Sequence, residues 1–325
     1  MFDVTAIGEL LIDFTECGVS ENGMRLFEQN PGGAVANVAA AVSKLGGSAA
    51  FLGKIGKDMH GEFLRGTLER AGVNTDGLVG TEDAFTTLAF VALRPDGERM
   101  FSFARKPGAD LLLSPDEINY TVLEHTSILH TGSLALSDEP CRSAVLSVLD
   151  YAKRTRKTVS YDPNYRASLW KGEEEAVKYM RLIAGYADLI KISEEEISLI
   201  TGKNDPEEAA RILHDGGAAC VAVTLGGRGA LVSAQGQARQ IPPFPVEKPT
   251  DTTGAGDSFW GAFLYRFVKS GKSPQEITVT DAADFAAWGN AAASLCIRKR
   301  GGIPALPSLE AVEALLSGSE TTCRN

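Results

Sequence analysis

Asp251-Thr252-Thr253-Gly254-Ala255-Gly256-Asp257 places two carboxylates around a pair of glycines, directly ahead of an apolar run, 258–268, with helical spacing. The first N–H groups of a helix lack internal partners, and the helix dipole favours negative charge there. A glycine-opened helix start is therefore a cradle for an anion, and the N–H groups of Gly254, Ala255 and Gly256 could hold a phosphoryl group. Asp257 then stands at the mouth of an anion site, where a carboxylate repels the ligand and needs a reason. One reason is general-base catalysis, with Asp257 taking the proton of a hydroxyl that attacks the phosphate. The other is that Asp257 simply caps the helix, a frequent role for Asp. The stretch alone leaves both open.

Other stretches offer matching chemistry. Pro31-Gly32-Gly33 opens a second helix, of small residues, that carries Asn37, whose amide both donates and accepts and so suits a polyhydroxyl ligand. A tight turn and an ordinary cap explain the same residues. Asp162-Pro163-Asn164-Tyr165-Arg166 gathers an acid, an amide and a guanidinium on one loop, and Arg suits phosphate. Glu194, Glu195 and Glu196 follow the run that holds Lys191 and Ser193. A carboxylate near a phosphate holds Mg²⁺ through water, but acids also belong in a first helical turn on dipole grounds. Thr224-Leu225-Gly226-Gly227-Arg228-Gly229 is a nucleotide-facing loop or a hairpin turn. His60, His125, His130 and His214 sit in no base-plus-nucleophile pattern, and His130 reads as a core or strand-end residue. The Gly-x-x-x-x-Gly-Lys-Ser/Thr phosphate cradle is missing from the sequence.

The elements that must position these groups follow from periodicity. Residues 4–14 read as one buried strand with Gly8 at a bend and Asp13 at its end. Residues 15–30 are polar without a helical period; a helix follows and is stopped by Gly46-Gly47. A strand at 49–55 and a helix at 58–71 come next, then a hairpin over 86–103 around Arg94-Pro95-Asp96-Gly97. Short apolar runs at 127–131, 158–162, 189–192 and 220–224 alternate with helical patterns at 141–155, 173–184 and 206–216. That alternation implies right-handed crossovers and a mainly parallel sheet. A Pro-rich strand-like run at 241–249, an Ala-rich helix at 277–297, a last helix at 309–316 and a tail at 318–325 complete the chain. Asp13, Asp162, Lys191, Thr224 and Asp257 follow or end predicted strands, so a parallel sheet gathers them at one edge, where such folds bind ligands. The 86–103 hairpin and the segment after Phe14 are candidates for a small β appendage. One of its faces turns to the active site, a partner subunit or the main domain.

Composition sets the limits. The chain has 325 residues, 42 acidic against 32 basic, for a net charge of −10. That balance argues against a nucleic-acid surface, and it requires a local positive field at any polyanion site. The cysteines, Cys17, Cys141, Cys220, Cys296 and Cys323, are scattered and odd in number, as expected of reduced thiols in a cytoplasm. The chain opens on a strand pattern rather than a signal peptide, and no apolar run reaches membrane-spanning length.

Asp-Thr-Thr-Gly-Ala-Gly-Asp-Ser-Phe at 251–259 resembles the C-terminal signature of the ribokinase-like (PfkB) carbohydrate kinases. Pro-Gly-Gly-Ala-Val-Ala-Asn-Val-Ala at 31–39, extended by Gly53-Lys54-Ile55-Gly56-Lys57-Asp58 and Gly61, resembles the N-terminal one. The two lie far apart and in family order, and the resemblance runs from about residue 4 to residue 315. Within the family it is nearest to fructokinases, through the stretches 103–110, 161–166, 191–196 and 300–307. Ser193 stands where the broader family has the Asn of an Asn-x-x-Glu motif. Ala104-Arg105-Lys106-Pro107 stands where fructokinases often read Tyr-Arg-Asn-Pro.

The resemblance implies a three-layer α/β sandwich at 1–317, with a mainly parallel central sheet and a small β lid from about 14–30 and 86–105 that can form a homodimer interface. It implies ATP-dependent phosphorylation of a sugar, D-fructose first, with Asp257 as base and Gly254, Ala255 and Gly256 as the anion hole. Asp13, Gly32, Gly33, Asn37, Phe103, Arg105 and Arg166 match sugar-side positions. Lys191, Ser193, Thr224, Gly226, Gly229 and Asn290 match nucleotide-side positions. Glu196 matches the acid that organises Mg²⁺ through water. Asp251, Thr253, Cys296, Lys299, Gly301 and Ala305 match a loop pair that binds K⁺ in many members, mostly by carbonyls. Arg105 and Lys106 keep an acidic sugar open as substrate. A catalytically silent sugar-binding regulator is the alternative from another class.

Overall fold

The computed structural model describes residues 1–93 and 99–322. Thirteen strands are present among them: β1 (Phe2–Ile7), β2 (Leu11–Val19), β3 (Arg25–Gly32), β4 (Ala49–Gly56), β5 (Val73–Thr81), β6 (Leu88–Leu93), β7 (Arg99–Ala104), β8 (Thr126–Thr131), β9 (Thr158–Tyr161), β10 (Leu189–Ser193), β11 (Cys220–Thr224), β12 (Ala230–Ala234) and β13 (Gln237–Ile241). The helices are α1 (Ala34–Lys44), α2 (Met59–Arg70), α3 (Tyr120–Glu124), α4 (Cys141–Arg154), α5 (Glu173–Ala184), α6 (Ile197–Thr201), α7 (Pro206–Asp215), α8 (Ala255–Ser270), α9 (Val279–Cys296) and α10 (Leu309–Thr322).

The large sheet has the order β13-β12-β11-β10-β9-β8-β1-β4-β5. It is parallel from β11 to β5, and β12 and β13 add an antiparallel edge. Its central strands are buried on both faces, which is why they read as continuous apolar runs rather than alternating ones. Alternate residues still face opposite layers. Ala6, Phe51 and Ala222 pack with α1, α8 and α9, whereas Ile7, Leu52 and Val223 pack with α4 and α5. The result is a three-layer α/β sandwich.

A second sheet, β3-β2-β6-β7, stands apart from the first. The 4–14 segment is therefore two strands, in two sheets. The chain leaves the large sheet after Ile7, turns through Gly8-Glu9-Leu10 and enters the small sheet at Leu11. Asp13 accordingly sits on β2 of the small sheet and not at the end of a central strand. The polar 15–30 stretch, which lacked a helical period, supplies the rest of β2 and most of β3. Leu11, Asp13 and Thr15 on β2 and Val91 on β6 turn to a cavity against the large domain. Phe14 and Phe90 turn the other way and stack on each other, with ring centroids 5.3 Å apart.

Three further expectations change. Strand β5, after Gly72, went unread because Asn74, Asp76 and Gly77 interrupt its apolar pattern. The 241–249 run is not a strand: β13 ends at Ile241, where Pro242 and Pro243 remove ladder donors. Helix α10 continues to Thr322, past the expected start of the tail; residues 323–325 and 94–98, where the expected Arg94-Pro95-Asp96-Gly97 turn falls, lie outside the described residues.

Candidate active site

Helix α8 begins at Gly254, whose φ of 74° is left-handed and costs glycine little. Gly254 is the N-cap, so Ala255, Gly256 and Asp257 fill the first helical turn. Asp257 is thus not the cap, and its carboxylate is turned inward rather than back onto the helix start. It is buried, and its Oδ2 accepts a 2.7 Å hydrogen bond from the Asn37 amide on α1. The two glycine-opened helices therefore meet at one pair of side chains. Burial first, and then the nearby charge of Asp162, push the Asp257 carboxyl up to about 6; the Asn37 hydrogen bond, Lys191 and Arg166 pull the other way. A carboxylate just below neutral pH is suited to take a proton.

Two cavities flank this helix start. One, of about 320 Å³, is lined by Asp13, Gly33, Asn37, Phe103, Arg166 and Asp257, with Leu134 and Leu169 supplying apolar wall. A side chain on Gly32 would collide with Asp13 Oδ2, at 2.3 Å, so this glycine lets the carboxylate sit against the β3 backbone. Burial also raises Asp13 to about 6, with Arg166 opposing and Asp257 and Asp251 adding to the rise. The other cavity, of about 370 Å³, is lined by Ser193, Glu196, Thr224, Gly226, Gly229 and Asn290. Asn164, Arg166, Lys191, Ala255 and Gly256 belong to both. The first turn of α8 is the place where the cavities meet, and Asp257 faces the first.

Lys191 is fixed at that junction. Its Nζ donates to Asp162 Oδ2 at 2.8 Å, and both side chains are buried. Burial disfavours its charge, but Asp162, Glu196 and Asp257 outweigh that and hold the ammonium above its usual value.

Several sequence expectations need correction or refinement. Arg105 does not reach the sugar-side cavity. It is buried in an ion pair with Asp110, 2.5 Å from Nη2 to Oδ2, and also donates to Ser137 Oγ and the Leu134 carbonyl. Two residues read from one sequence stretch part here: Phe103 lines the cavity and Arg105 holds the wall behind it. Glu196 lies in the second cavity, but its oxygens already accept from Tyr165 N at 2.7 Å and Ser193 N at 2.8 Å. Glu196 therefore caps its own turn and lines the second cavity as well. Glu194 pairs with Arg228 across the rim instead. The 224–229 loop is a hairpin turn into β12 and also lines the second cavity. His130 is buried with Nδ1 against Ser160 Oγ at 3.0 Å, and burial pushes it down to about 3, so it stays neutral in the core.

Asp251, Thr253, Cys296 and Gly301 do come together. Asp251 accepts from Thr253 N at 2.9 Å and Gly301 N at 3.0 Å, which ties the 301 loop to the start of α8. Lys299 and Ala305 line a neighbouring cavity with Lys44, whose Nζ donates to the Ile303 carbonyl at 2.9 Å. Sequence reading passed over Glu9, which lines the first cavity; its Oε1 accepts from Ala34 N at 2.9 Å and its carboxyl is pushed up to about 7 by burial. The available signal was an acid inside an otherwise apolar run.

The description "pfkB family carbohydrate kinase" matches residues 1–309 of the chain. The chain belongs to this family. Among curated relatives, fructokinase-1 of Zea mays is 43% identical over 309 residues, covering 94% of each chain. Among solved structures, a fructokinase from Xylella fastidiosa with bound ATP superposes with a TM-score of 0.86 at 31% identity, covering 98% of this chain and 100% of that one. A fructokinase from Vibrio cholerae O395, solved in a fructose, ADP and calcium ion bound form, gives 0.85 at 32% identity over 96% and 98%. This family member is a sugar kinase, a phosphotransferase with an alcohol group as acceptor. Its large, mostly parallel sheet with a small separate sheet matches the ribokinase-like kinase structures. Among the described residues no helix is long and apolar enough to cross a membrane.

Proposed function

We propose that the chain transfers the γ-phosphoryl group of ATP to D-fructose, giving fructose 6-phosphate. The observation that carries this reading is the meeting of two cavities at the first turn of α8, with the buried acid Asp257 on one side. The sugar occupies the first cavity under the β lid and ATP the second. Asp257 takes the proton of the attacking hydroxyl, and the N–H groups of Gly254, Ala255 and Gly256 hold the charge of the transferred group. Asp13 and Asn37 bind sugar hydroxyls. Closing the lid excludes water, whose attack would hydrolyse ATP.

Mg²⁺ enters with ATP. Glu196 fits a role through water, since each carboxylate oxygen accepts one N–H and keeps a further lone pair. K⁺, if used, is held by carbonyls of the loops that carry Asp251, Thr253, Cys296, Lys299, Gly301 and Ala305. The outer lid face, with Phe27 at 37% and Phe90 at 38% exposure, suits a homodimer interface. A cytoplasmic location agrees with the scattered cysteines. Engagement of Arg105 by Asp110 weakens the case for an acidic sugar.

The deciding experiment ranks fructose, ribose, 2-keto-3-deoxygluconate and a purine-precursor riboside by kcat/KM in one ATP-consumption assay. Fructose is expected to lead. A kcat/KM for fructose well below any of the others would overturn the substrate. Sugar binding by calorimetry without any ADP release would instead favour a silent regulator.

A further inference from the structure

Phosphoryl transfer spreads negative charge over the moving group and needs fixed positive charge beside it. The chain carries −10 overall, so positive charge at a polyanion site must be supplied locally. The residues common to both cavities include two cations, Arg166 and Lys191. Arg166 is exposed, with Nη1 on the Tyr165 carbonyl. Lys191 is buried, locked by Asp162, and its Nζ lies 3.0 Å from the position a Cβ would take on Gly256. It therefore stands beside the anion hole without needing to be ordered during the reaction.

We infer that Lys191 is a catalytic cation of the transfer step, and that Asp162 is the positioning residue that holds its ammonium at the junction. The inference deepens the kinase reading and rests on it. In the step, the sugar oxygen forms a bond to the γ-phosphorus while the bond from that phosphorus to the bridging oxygen breaks. The electron pair leaves on ADP, and the hydroxyl proton passes to Asp257. Lys191 gains no proton and loses none; it meets the charge on the transferred oxygens as that charge shifts. Asp162 has a second consequence. It, Lys191, Arg166, Asp13, the Asn37 amide and the Cys296 thiol surround Asp257, so the Asp162–Lys191 pair also bears on the basicity of the base.

The test is a set of three variants, Lys191→Met, Asp162→Asn and the double variant. Lys191→Met should lower kcat roughly 10²–10³-fold, the span for one lost stabilising donor, while KM for sugar and ATP moves only a few-fold. Because the single change leaves Asp162 buried and unpaired, that variant can fail to fold. The double variant removes both charges and keeps the site neutral. Its kcat should stay as low as that of Lys191→Met, and Asp162→Asn, by removing a charge that raises Asp257, should move the acidic limb of the pH profile to lower pH. A double variant within a few-fold of wild-type kcat would show that the pair is merely structural. A rise in KM for ATP with kcat intact would make Lys191 a ground-state ligand only. Either result overturns the inference and leaves the role of Asp257, tested separately by Asp257→Asn, untouched.

Discussion

Replacing Asp257 by Asn removes one proton acceptor and changes almost nothing else. The amide is the same size, and its oxygen can still accept from the Asn37 amide, which now donates at 2.7 Å. With burial raising its carboxyl to about 6, Asp257 is still mainly ionised at pH 7.5, so the wild-type base is ready. Losing a positioned base should lower kcat roughly 10²–10⁴-fold, about 2.7–5.4 kcal/mol of barrier. The same change should stabilise the fold. The folded carboxyl lies at about 6 against 3.8 for an ordinary Asp, so the protonated form is the one that folding favours. That stability is present below the lower value and lost as pH rises through the upper one. At neutral pH the ionised group opposes folding by up to about 3 kcal/mol, which Asn relieves. The assay pairs steady-state turnover at saturating sugar and ATP with thermal unfolding at pH 7.5 and pH 5. A large loss of kcat with a raised Tm, the rise smaller at pH 5, is the expected outcome. Turnover within a few-fold of wild type would refute the base, whatever the melting curve did.

The pH profile of kcat/KM should fall below about pH 6, as Asp257 and Asp13, both held near that value, take up protons. Asn37→Leu takes away a hydrogen bond that lowers Asp257, so the acidic limb should move to higher pH; an unmoved or lowered limb contradicts this. Arg105→Met strands Asp110 in the core and should cost about 3–5 kcal/mol of stability, read as a lower Tm, with sugar KM changed only a few-fold in the folded enzyme. An unchanged Tm with KM raised more than tenfold would return Arg105 to the sugar. Phe27→Asp on the outer lid face should convert a dimer to a monomer in sedimentation velocity, and a wild-type chain that sediments as a monomer at assay concentration would remove the interface.

Periodicity and motif chemistry, taken alone, determined the mainly parallel sheet, the hairpin of the small β appendage and the glycine-opened helix with Asp257 in its first turn. Those features are written locally: a buried parallel strand must be an apolar run, and a backbone anion hole needs small residues at a helix start. Local spacing could not say whether Asp257 capped α8 or turned into a cavity. That depended on Gly254 taking the cap and on Asn37, from a distant helix, reaching the carboxylate. The same limit explains Asp13, Arg105 and Glu196. Asp13 belongs to the small sheet because the chain changes sheet after Ile7, although the apolar pattern runs on without a break. Arg105 has the charge of a ligand-binding residue, and only packing reveals that Asp110 already holds it. Glu196 caps its helical turn and also lines the second cavity, since its two oxygens reach the two segments that border it. Sequence sets what each group can do; the fold decides which partner reaches it first, and in a buried site that partner fixes its charge and its role.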